Sequence, residues 1–412
     1  MKIDKLKGKV LKANKILMTS ILLVMTGGVQ AAVPSNEEIF QMIQELRREI
    51  VELKAENNKL RGTVEEVTVA TDEAIKAQIK LSNKSIIGGY GELHGNWLND
   101  QKGSSDTDKI DFHRFVLFYG HEFTDKLRFF SELELEHSVS GESKTGEIEL
   151  EQAYLEYDIS DKTSLTAGLF LIPVGILNET HEPATLYGVE RNKVETNIVP
   201  TTWWEGGAMM TTQIADGLDL NFAVTSGLKS TSNYKPRDGR QKVGNATAKK
   251  LAYTTRVKYT AVPGFELAGT INYQDDYSQD SLADVGSAIL YEMHAVIKRD
   301  DFSLRALYAE WDIEGSGPEG VGRDEQFGFY VEPSYKFTML GEHLGIFGRY
   351  SLWDNNAGSG STSDTEYQQY DIGVNWWIHK DVVFKVDYQD QLVGAGITKE
   401  LDGINVGLGY AF

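Results

Sequence analysis

Hydrophobic and polar residues alternate along most of the chain from residue 85 to its end. The pattern is clearest over residues 403–412, where every second side chain is apolar or aromatic: Ile404, Val406, Leu408, Tyr410 and Phe412. The intervening positions are small or polar. Because successive side chains of a β-strand point to opposite faces, this period of two predicts a strand with one apolar and one polar face.

Comparable segments recur sixteen times, from 86–98 to 403–412. Their lengths are close to the about 9–11 residues that a tilted strand needs to cross a bilayer. The links between them alternate between short turns, such as 124–126, and long polar segments, such as 228–248. This asymmetry is typical of an outer-membrane barrel with periplasmic turns and extracellular loops. A soluble sandwich or propeller also uses short strands, but it does not explain the asymmetry.

Residues 36–82 follow a heptad pattern instead. Leucine, isoleucine or valine occupies most of the a and d positions up to residue 67, and the pattern weakens afterwards. A long helix with one narrow apolar stripe cannot bury it alone, so segment 32–84 is predicted to be a self-associating coiled coil. Asn57 and the isoleucines at a positions favour two strands. A helix that lies on the barrel or plugs it is the alternative.

Residues 1–31 have the features of a secretory signal peptide: a lysine-rich start, an apolar run over 16–25, and Val29-Gln30-Ala31 as a cleavage site. The run is short for a membrane-spanning helix, although a single-pass anchor is the alternative. Removing 1–31 removes six lysines and one aspartate, a net +5, so the mature chain carries −20 − 5 = −25. This charge argues against nucleic acid as a partner. The absence of cysteine is compatible with export through an oxidising compartment.

The polar face of the predicted barrel is rich in charge. Strand parity places these predicted pore-lining side chains inside the barrel: Arg114, Arg128, Glu132, Glu134, Arg256, Lys258, Arg305 and Arg349. An interior with so many charged groups cannot form a dry core. It therefore predicts a water-filled lumen, in which rings of charge influence ion selectivity.

The third long link, residues 175–204, is unusually long and partly apolar. A free surface loop would expose Leu186, Val194 and Ile198, so we expect this link to fold into the barrel and bury them. It would then narrow the lumen. The charged residues that it would place at the constriction are Glu179, His181, Glu182, Glu190, Arg191 and Lys193.

Four runs in and around this link resemble the phosphate-selective porin O/P family. They are Phe-Leu-Ile-Pro-Val-Gly at 170–175, Asn-Glu-Thr-His-Glu-Pro at 178–183, Tyr-Gly-Val-Glu-Arg-Asn at 187–192 and Pro-Thr-Thr-Trp-Trp-Glu-Gly-Gly at 200–207. The resemblance covers residues 85–412 and implies a homotrimeric, sixteen-stranded porin with an inward-folded third loop and a preference for anions or phosphate. It also favours three strands for the coiled coil. The arginine ladder of the family is not assigned to residues here, because this inner wall mixes acids with bases.

The fold class predicted from the sequence is all-β: a transmembrane antiparallel barrel of sixteen strands over 85–412, preceded by a helical coiled coil in the periplasm. We expect a Gram-negative outer-membrane porin that lets small hydrophilic solutes or ions diffuse passively through a pore narrowed by 175–204. A phosphate- or anion-selective channel is the first alternative. An envelope tether, whose coiled coil approaches peptidoglycan, is the second, and an enzymatic barrel is the third.

The expected partners are outer-membrane lipid, further copies in a homotrimer and the barrel-assembly machinery. Tyr410 and Phe412 are the predicted assembly signal, because the family of outer-membrane barrels uses a C-terminal aromatic strand. No catalytic residue, cofactor or metal is predicted. His181, next to Glu182 in the third link, has no second histidine or cysteine at the spacing of a zinc site.

Overall fold

The computed structural model describes Arg48 and residues 84–139, 146–339 and 341–412. The predicted signal peptide 1–31 lies outside these residues, as does the predicted coiled coil 32–84 apart from Arg48 and Lys84. Both therefore stay predictions. Within the described residues, no helix has the length and apolar character needed to cross a membrane.

The described part of the chain forms sixteen antiparallel strands that close into one barrel, each paired with its neighbours in sequence. In chain order they are β1 (Ser85–Asp100), β2 (Thr107–Thr124), β3 (Leu127–Glu136), β4 (Ile148–Ser160), β5 (Thr163–Leu171), β6 (Trp204–Ala215), β7 (Leu218–Thr225), β8 (Ala252–Tyr259), β9 (Phe265–Gln274), β10 (Ala288–Arg299), β11 (Phe302–Ile313), β12 (Glu325–Met339), β13 (Glu342–Asp354), β14 (Tyr367–His379), β15 (Val382–Val393) and β16 (Leu401–Ala411). The predicted barrel and its strand number are confirmed.

The first and last strands close the barrel. They pair from Tyr90 opposite Ala411 to Asp100 opposite Leu401. The ladder continues one residue further, because the Phe412 N–H donates to the Gly89 carbonyl oxygen at 2.9 Å and the Gly89 N–H donates to that of Phe412 at 3.0 Å. Closure leaves no strand edge free to pair with another chain.

Side chains alternate between the two faces of the barrel wall as the period of two requires. In β16, Ile404 and Val406 are 50% and 39% exposed, whereas Asn405 between them is 1% exposed. The outer surface is therefore an apolar band, and the polar residues lie inside.

Connections differ sharply between the two ends of the barrel. At one end, which we call the turn end, strands are joined by short turns such as 125–126, 161–162 and 380–381. At the other, which we call the loop end, long links such as 172–203 and 226–251 join them. Two short helices lie in the loop-end links, α1 (Lys193–Asn197) and α2 (Ser316–Gly320), together with a 3₁₀ turn at Pro236–Gly239.

Candidate functional site

The third loop, defined here as residues 172–203 between β5 and β6, folds into the barrel. Its residues Val194 and Ile198 are fully buried and belong to one core with wall residues of β10–β13. The indole N–H of Trp311 on β11 donates to the Ile198 carbonyl oxygen at 2.8 Å. The expectation that this apolar segment is buried by inward folding is therefore confirmed. The loop begins earlier than predicted: β5 ends at Leu171, just before Pro173, which lacks an N–H for the ladder.

A buried carboxylate fixes the loop against itself and against the wall. Glu195 in α1 accepts hydrogen bonds from the backbone N–H groups of Ile176 at 2.8 Å and Leu177 at 2.6 Å. It also accepts one from the Tyr330 hydroxyl on β12 at 2.6 Å. Burial raises the pKa of Glu195, and these donors oppose that rise because they stabilise the charged form. No periodicity along the chain indicates a buried carboxylate at this position.

Donors on the barrel wall bind carbonyl oxygens along the middle of the loop. They are Arg114 to His181 at 2.8 Å, Arg305 to Thr185 at 2.8 Å, Asn375 to Leu186 at 3.0 Å and Lys385 to Gly188 at 2.8 Å. In the opposite sense, Asp387 accepts a hydrogen bond from the Val189 N–H at 2.6 Å. The loop is thus bound by strands on several sides of the barrel, which fixes its path through the lumen.

The side chain of His181, in the third loop, is buried against the barrel wall between two wall carboxylates. Its Nε2 is 3.6 Å from Glu132 on β3 and 3.5 Å from Glu151 on β4. Burial alone lowers the pKa of His181, but the two carboxylates outweigh it and raise the pKa to about 10. The imidazole is therefore a cation at neutral pH, and it joins the loop to the wall by charge.

A cavity of about 310 Å³ lies on the loop-end side of the third loop. Carboxylates on its surface come mainly from the wall, whereas bases come mainly from loops. The acidic residues are Glu92, Glu134, Glu136, Glu147, Glu149, Glu151 and Glu190, and the basic residues are Arg114, Arg191, Lys193, Arg237, Arg240 and Lys242. The cavity surface therefore carries both negative and positive charges. Most of the negative charges are on strands, and most of the positive charges are on loops.

A second cavity, of about 450 Å³, lies nearer the turn end. The early part of the third loop lines it with Glu179 and Glu182, and β8 lines it with Arg256 and Lys258. The later part of the same loop, from Leu186 onward, lines the first cavity. The third loop therefore lies between two water-accessible parts of the lumen, which is the position of a constriction.

The structure separates the predicted constriction residues into three groups. Glu179 and Glu182 line the turn-end cavity, whereas Glu190, Arg191 and Lys193 line the loop-end cavity. His181 is buried against the wall and lines neither cavity. Burial raises the pKa of Glu190, but hydrogen bonds from His94 and Asn96 and the charge of Lys193 hold it well below its usual range.

The predicted pore-lining residues fall into wall anchors and cavity residues. Arg114, Arg256, Arg305 and Arg349 contact the third loop, and Arg349 is buried between Asp371 at 2.9 Å and Glu332 at 3.1 Å. Glu134 and Lys258 line the loop-end and turn-end cavities, respectively. Glu132 lies beside His181, and Arg128 pairs with Glu156 and Asp158 near the turn end.

The fourth loop, residues 226–251, supplies cavity residues that strand parity did not indicate. Arg237 donates to the Thr201 carbonyl oxygen at 2.6 Å, and Arg240 donates to that of Thr202 at 2.5 Å. Lys242 reaches Glu147 and Glu149 at the start of β4. Burial and the neighbouring Arg240 lower the pKa of Arg237 to about 10. The available signal was three bases within six residues of one polar loop, but nothing in the sequence indicates where that loop lies in the barrel.

The predicted assembly signal lies at the turn end of the closing strand. Phe412 is largely exposed, and its ring stacks on Phe115 of β2 with centroids 5.9 Å apart. Tyr410 is half-buried on the same strand face. Neither residue lines either of the two cavities.

Comparisons with known proteins agree with this architecture. An uncharacterized protein of Aquifex aeolicus strain VF5 is 30% identical over 338 residues, which cover 73% of this chain and 74% of that protein. The structure of OprB from Pseudomonas putida superposes with a TM-score of 0.58 at 10% identity, covering 82% of this chain and 96% of that one. An anion-selective porin from Comamonas acidovorans has a TM-score of 0.56 at 12% identity, covering 80% and 99%.

A family model adds the decisive comparison. The model described as phosphate-selective porin O and P matches residues 87–393, which include most of the barrel and the whole third loop. Family and fold together indicate an outer-membrane channel rather than an enzyme. The resemblance noted in the four sequence runs is confirmed, and the chain belongs to the phosphate-selective porin O and P family.

Proposed function

We propose that this porin passes small hydrophilic solutes and ions by diffusion along a path that is narrowed by the third loop. The observation that carries the proposal is the position of that loop between the two lumenal cavities, with wall anchors on β2, β11 and β15. A loop bound in this way narrows the lumen permanently. Its cavity surfaces are polar and charged, so water and hydrated solutes are favoured over apolar ones.

The charges around the loop-end cavity support passage of ions of both signs. Wall carboxylates such as Glu134 and Glu149 face loop bases such as Arg191 and Lys193 across one cavity. Neither sign is in large excess there. We therefore expect weak selectivity between small anions and cations.

A planar-bilayer recording of the mature protein in a KCl gradient tests this proposal. Stable, ohmic channels with a reversal potential near zero are expected. Correctly folded protein without conductance would contradict the porin function. A strongly cation- or anion-signed reversal potential would contradict weak selectivity while leaving the porin function intact.

An anion- or phosphate-selective channel is the second candidate, and one observation favours it. Five bases from the third and fourth loops converge on the loop-end cavity: Arg191, Lys193, Arg237, Arg240 and Lys242. Arginine and lysine are the side chains that bind phosphate oxygens best. The family is named for phosphate selectivity, and one structural relative is an anion-selective porin.

Phosphate titration distinguishes the two candidates. A phosphate site predicts that millimolar phosphate reduces the chloride current in a saturable manner, whereas sulfate or added chloride at equal ionic strength does so less. An unsaturable, purely ionic-strength-dependent effect would favour the general diffusion channel. The wall carboxylates near the bases weaken the case, because each reduces the positive potential that an anion meets.

The remaining expectations concern location and assembly. The outer-membrane location follows from the family; we propose in addition that 1–31 directs export, that 32–84 is a periplasmic coiled coil, and that the porin is a homotrimer inserted by the barrel-assembly machinery. The heptads and the terminal Phe412 support these proposals. Cross-linking of the mature protein in membranes tests the trimer, and a ladder that stops at the monomer would contradict it.

The envelope tether is a third proposal, supported by the length of the heptad segment. If segment 36–82 reaches peptidoglycan, its deletion should detach the envelope locally and leave single-channel conductance unchanged. Unchanged co-sedimentation of the deleted porin with peptidoglycan would contradict the tether. A change in conductance alone would instead indicate that the segment acts on the pore.

A further inference from the structure

Three of the eight histidines of the chain lie together at the loop end of β1–β3. His94 is on β1, His113 is on β2, and His137 directly follows β3. The rings of His94 and His113 stack with centroids 4.6 Å apart, and those of His113 and His137 meet edge to face at 5.4 Å. The carboxylate of Asp111 lies among them. Neither the constriction nor its anchors use His113, His137 or Asp111.

A β-bulge turns His113 towards the lumen. The pairing of β1 with β2 runs from Glu92 opposite Arg114 directly to Leu93 opposite Phe112, so His113 is an extra residue. Without the bulge, His113 would lie on the lipid-facing side, because its neighbour Arg114 points inward. With the bulge, both side chains reach the lumen, and His113 lines the loop-end cavity. Bulges that redirect one side chain are frequent next to functional sites.

An unusual backbone conformation brings His137 to the same place. His137 has a φ of 48°, in the left-handed region that non-glycine residues rarely adopt. Its N–H donates to the His113 carbonyl oxygen at 3.0 Å. The ring Nδ1 then lies 2.8 Å and 2.9 Å from the two carboxylate oxygens of Asp111. The bulge at His113 and the left-handed backbone of His137 thus place both imidazole rings beside the carboxylate of Asp111.

The distances fit a metal ion held by two imidazoles and one carboxylate. The Nδ1 of His113 is 3.4 Å from Asp111 Oδ2, and one ligand atom from each of the three residues lies within 4.8 Å of the others. Ligands about 2.0–2.2 Å from a tetrahedral Zn²⁺ are about 3.4 Å apart. Only a small shift of His137 away from Asp111 is needed. Two imidazoles and a carboxylate with an open position are a donor set for Zn²⁺ and related divalent transition ions.

His113 and His137 line the loop-end cavity, and Asp111 beside them keeps part of its carboxylate exposed. His113 and His137 are 31% and 32% exposed at the side chain, and Asp111 is 14% exposed. Carboxylates on the same cavity surface, including Glu92 and Glu136, favour the approach of a cation. A solute on the path through the pore would therefore meet this site.

Two other groups of possible ligands among the described residues are less suitable. Glu132, Glu151 and His181 are fully buried, and the imidazolium already neutralises a carboxylate there. Glu136, Glu147 and Glu149 contain only carboxylates, two of which pair with Lys242. His94 is also engaged, because it contacts Glu92 at 3.2 Å and Glu190 at 3.3 Å.

We propose that Asp111, His113 and His137 bind a divalent transition-metal ion such as Zn²⁺ at the loop-end mouth of the pore, and that the bound ion shifts the selectivity of the pore towards anions. The site coordinates the ion through one carboxylate oxygen and two neutral imidazole nitrogens, with water completing the shell. The bound cation adds positive charge beside the loop-end cavity. Passage of cations through that cavity then falls.

Equilibrium dialysis of the purified, untagged porin against Zn²⁺ in excess Mg²⁺ tests the site itself. We expect saturable binding that EDTA reverses. The His113→Asn/His137→Asn double variant should bind at least about 100-fold more weakly, because loss of even one outer-shell partner costs about 10–100-fold. The matched control is His343→Asn. His343 lies at the turn end, its Nδ1 is 3.2 Å from Thr338 Oγ1, and it belongs to no group of possible metal ligands among the described residues. This variant should bind Zn²⁺ as the wild type does.

Bilayer recordings test the effect of the bound metal ion on permeation. Micromolar Zn²⁺ added on the loop side should reversibly shift the wild-type reversal potential in a KCl gradient towards anion selectivity, and the shift should disappear in the double variant but persist in His343→Asn. If the double variant fails to fold, as judged by heat-modifiable mobility, Asp111→Asn replaces it and should weaken the effect. No saturable Zn²⁺ binding by the wild type, or equal binding by the variants, would overturn the proposal. Binding without any shift in the reversal potential would overturn its second part.

Discussion

Arg256 on β8 and Glu179 in the third loop form a two-point ion pair. The Nη2 of Arg256 lies 3.2 Å from Glu179 Oε1, and its Nη1 contacts Oε2. The guanidinium is nearly buried, with 5% of the side chain exposed, whereas the carboxylate is 35% exposed. Arg256 also donates to Asn221 at 3.1 Å. The pair therefore binds the early part of the loop to a buried charge in the wall.

Removing the carboxylate charge should destabilise the porin. Glu179→Gln leaves the Arg256 guanidinium buried with only neutral partners, and we expect a loss of about 1–3 kcal/mol in unfolding free energy, since Glu179 is partly solvated. Glu182→Gln is the matched control, because Glu182 lines the same cavity without a side-chain ion pair among the described residues. Urea titration in lipid vesicles measures the unfolding free energy of both variants. Equal losses in the two variants would show that the ion pair contributes nothing specific.

A larger loss of unfolding free energy is expected when Arg349 is replaced. Its guanidinium lies between Asp371 and Glu332 and is buried beneath the third loop. Arg349→Met would leave Asp371 without an ion pair among the described residues and Glu332 with only Arg305, at 3.7 Å, so we expect a loss of about 3–5 kcal/mol in unfolding free energy. The triple variant that adds Asp371→Asn and Glu332→Gln should recover part of this loss. If the triple variant is as unstable as the single one, packing rather than charge is responsible.

The stability of the porin should depend on pH through His181. Its pKa is raised from 6.5 to about 10, so the contribution is complete below about pH 6.5 and declines as pH rises, disappearing above pH 10. The difference in unfolding free energy between wild type and His181→Gln should follow this course. Urea titrations from pH 6 to 10.5 measure it. A difference that stays constant across this interval would contradict a charged His181.

Ion selectivity should respond to Lys193. Lys193→Gln removes a positive charge from the loop-end cavity, and one unit charge about 10 Å away in water changes an ion's free energy by about 0.4 kcal/mol. The anion-to-cation permeability ratio should therefore fall by about two- to fourfold. Reversal potentials in a KCl gradient measure the ratio. Lys249→Gln, at an exposed position paired with Asp280, is the control and should leave the ratio unchanged.

The barrel could be predicted because its signal is local and repeated. The alternation in β16, from Ile404 to Tyr410, depends only on which side chains face lipid, and the same rule governs the other strands outside their bulges. Inward folding of the third loop was also predictable, since Val194 and Ile198 would otherwise be exposed. Both inferences depend only on which residues are apolar, and the sequence shows this directly.

The details of the site depend on information that the sequence does not contain locally. The bulge at His113 changes the face of one residue, and strand parity cannot reveal it. Arg237 and Arg240 reach the cavity only because the fourth loop folds onto the third. Arg305 and Arg349 have the inward parity that was predicted, but their contacts with the loop follow from its path.

The wall holds the third loop largely through backbone oxygens, including those of His181, Thr185, Leu186 and Gly188. Every amino acid supplies that acceptor, whatever its side chain. The residues that face the permeating solute can therefore be exchanged without removing these anchors. Apart from Glu179 and Glu190, whose carboxylates contact Arg256 and His94, the exposed side chains of the loop can change without loosening its attachment to the wall, so new solute preferences can arise by substitution in the loop alone.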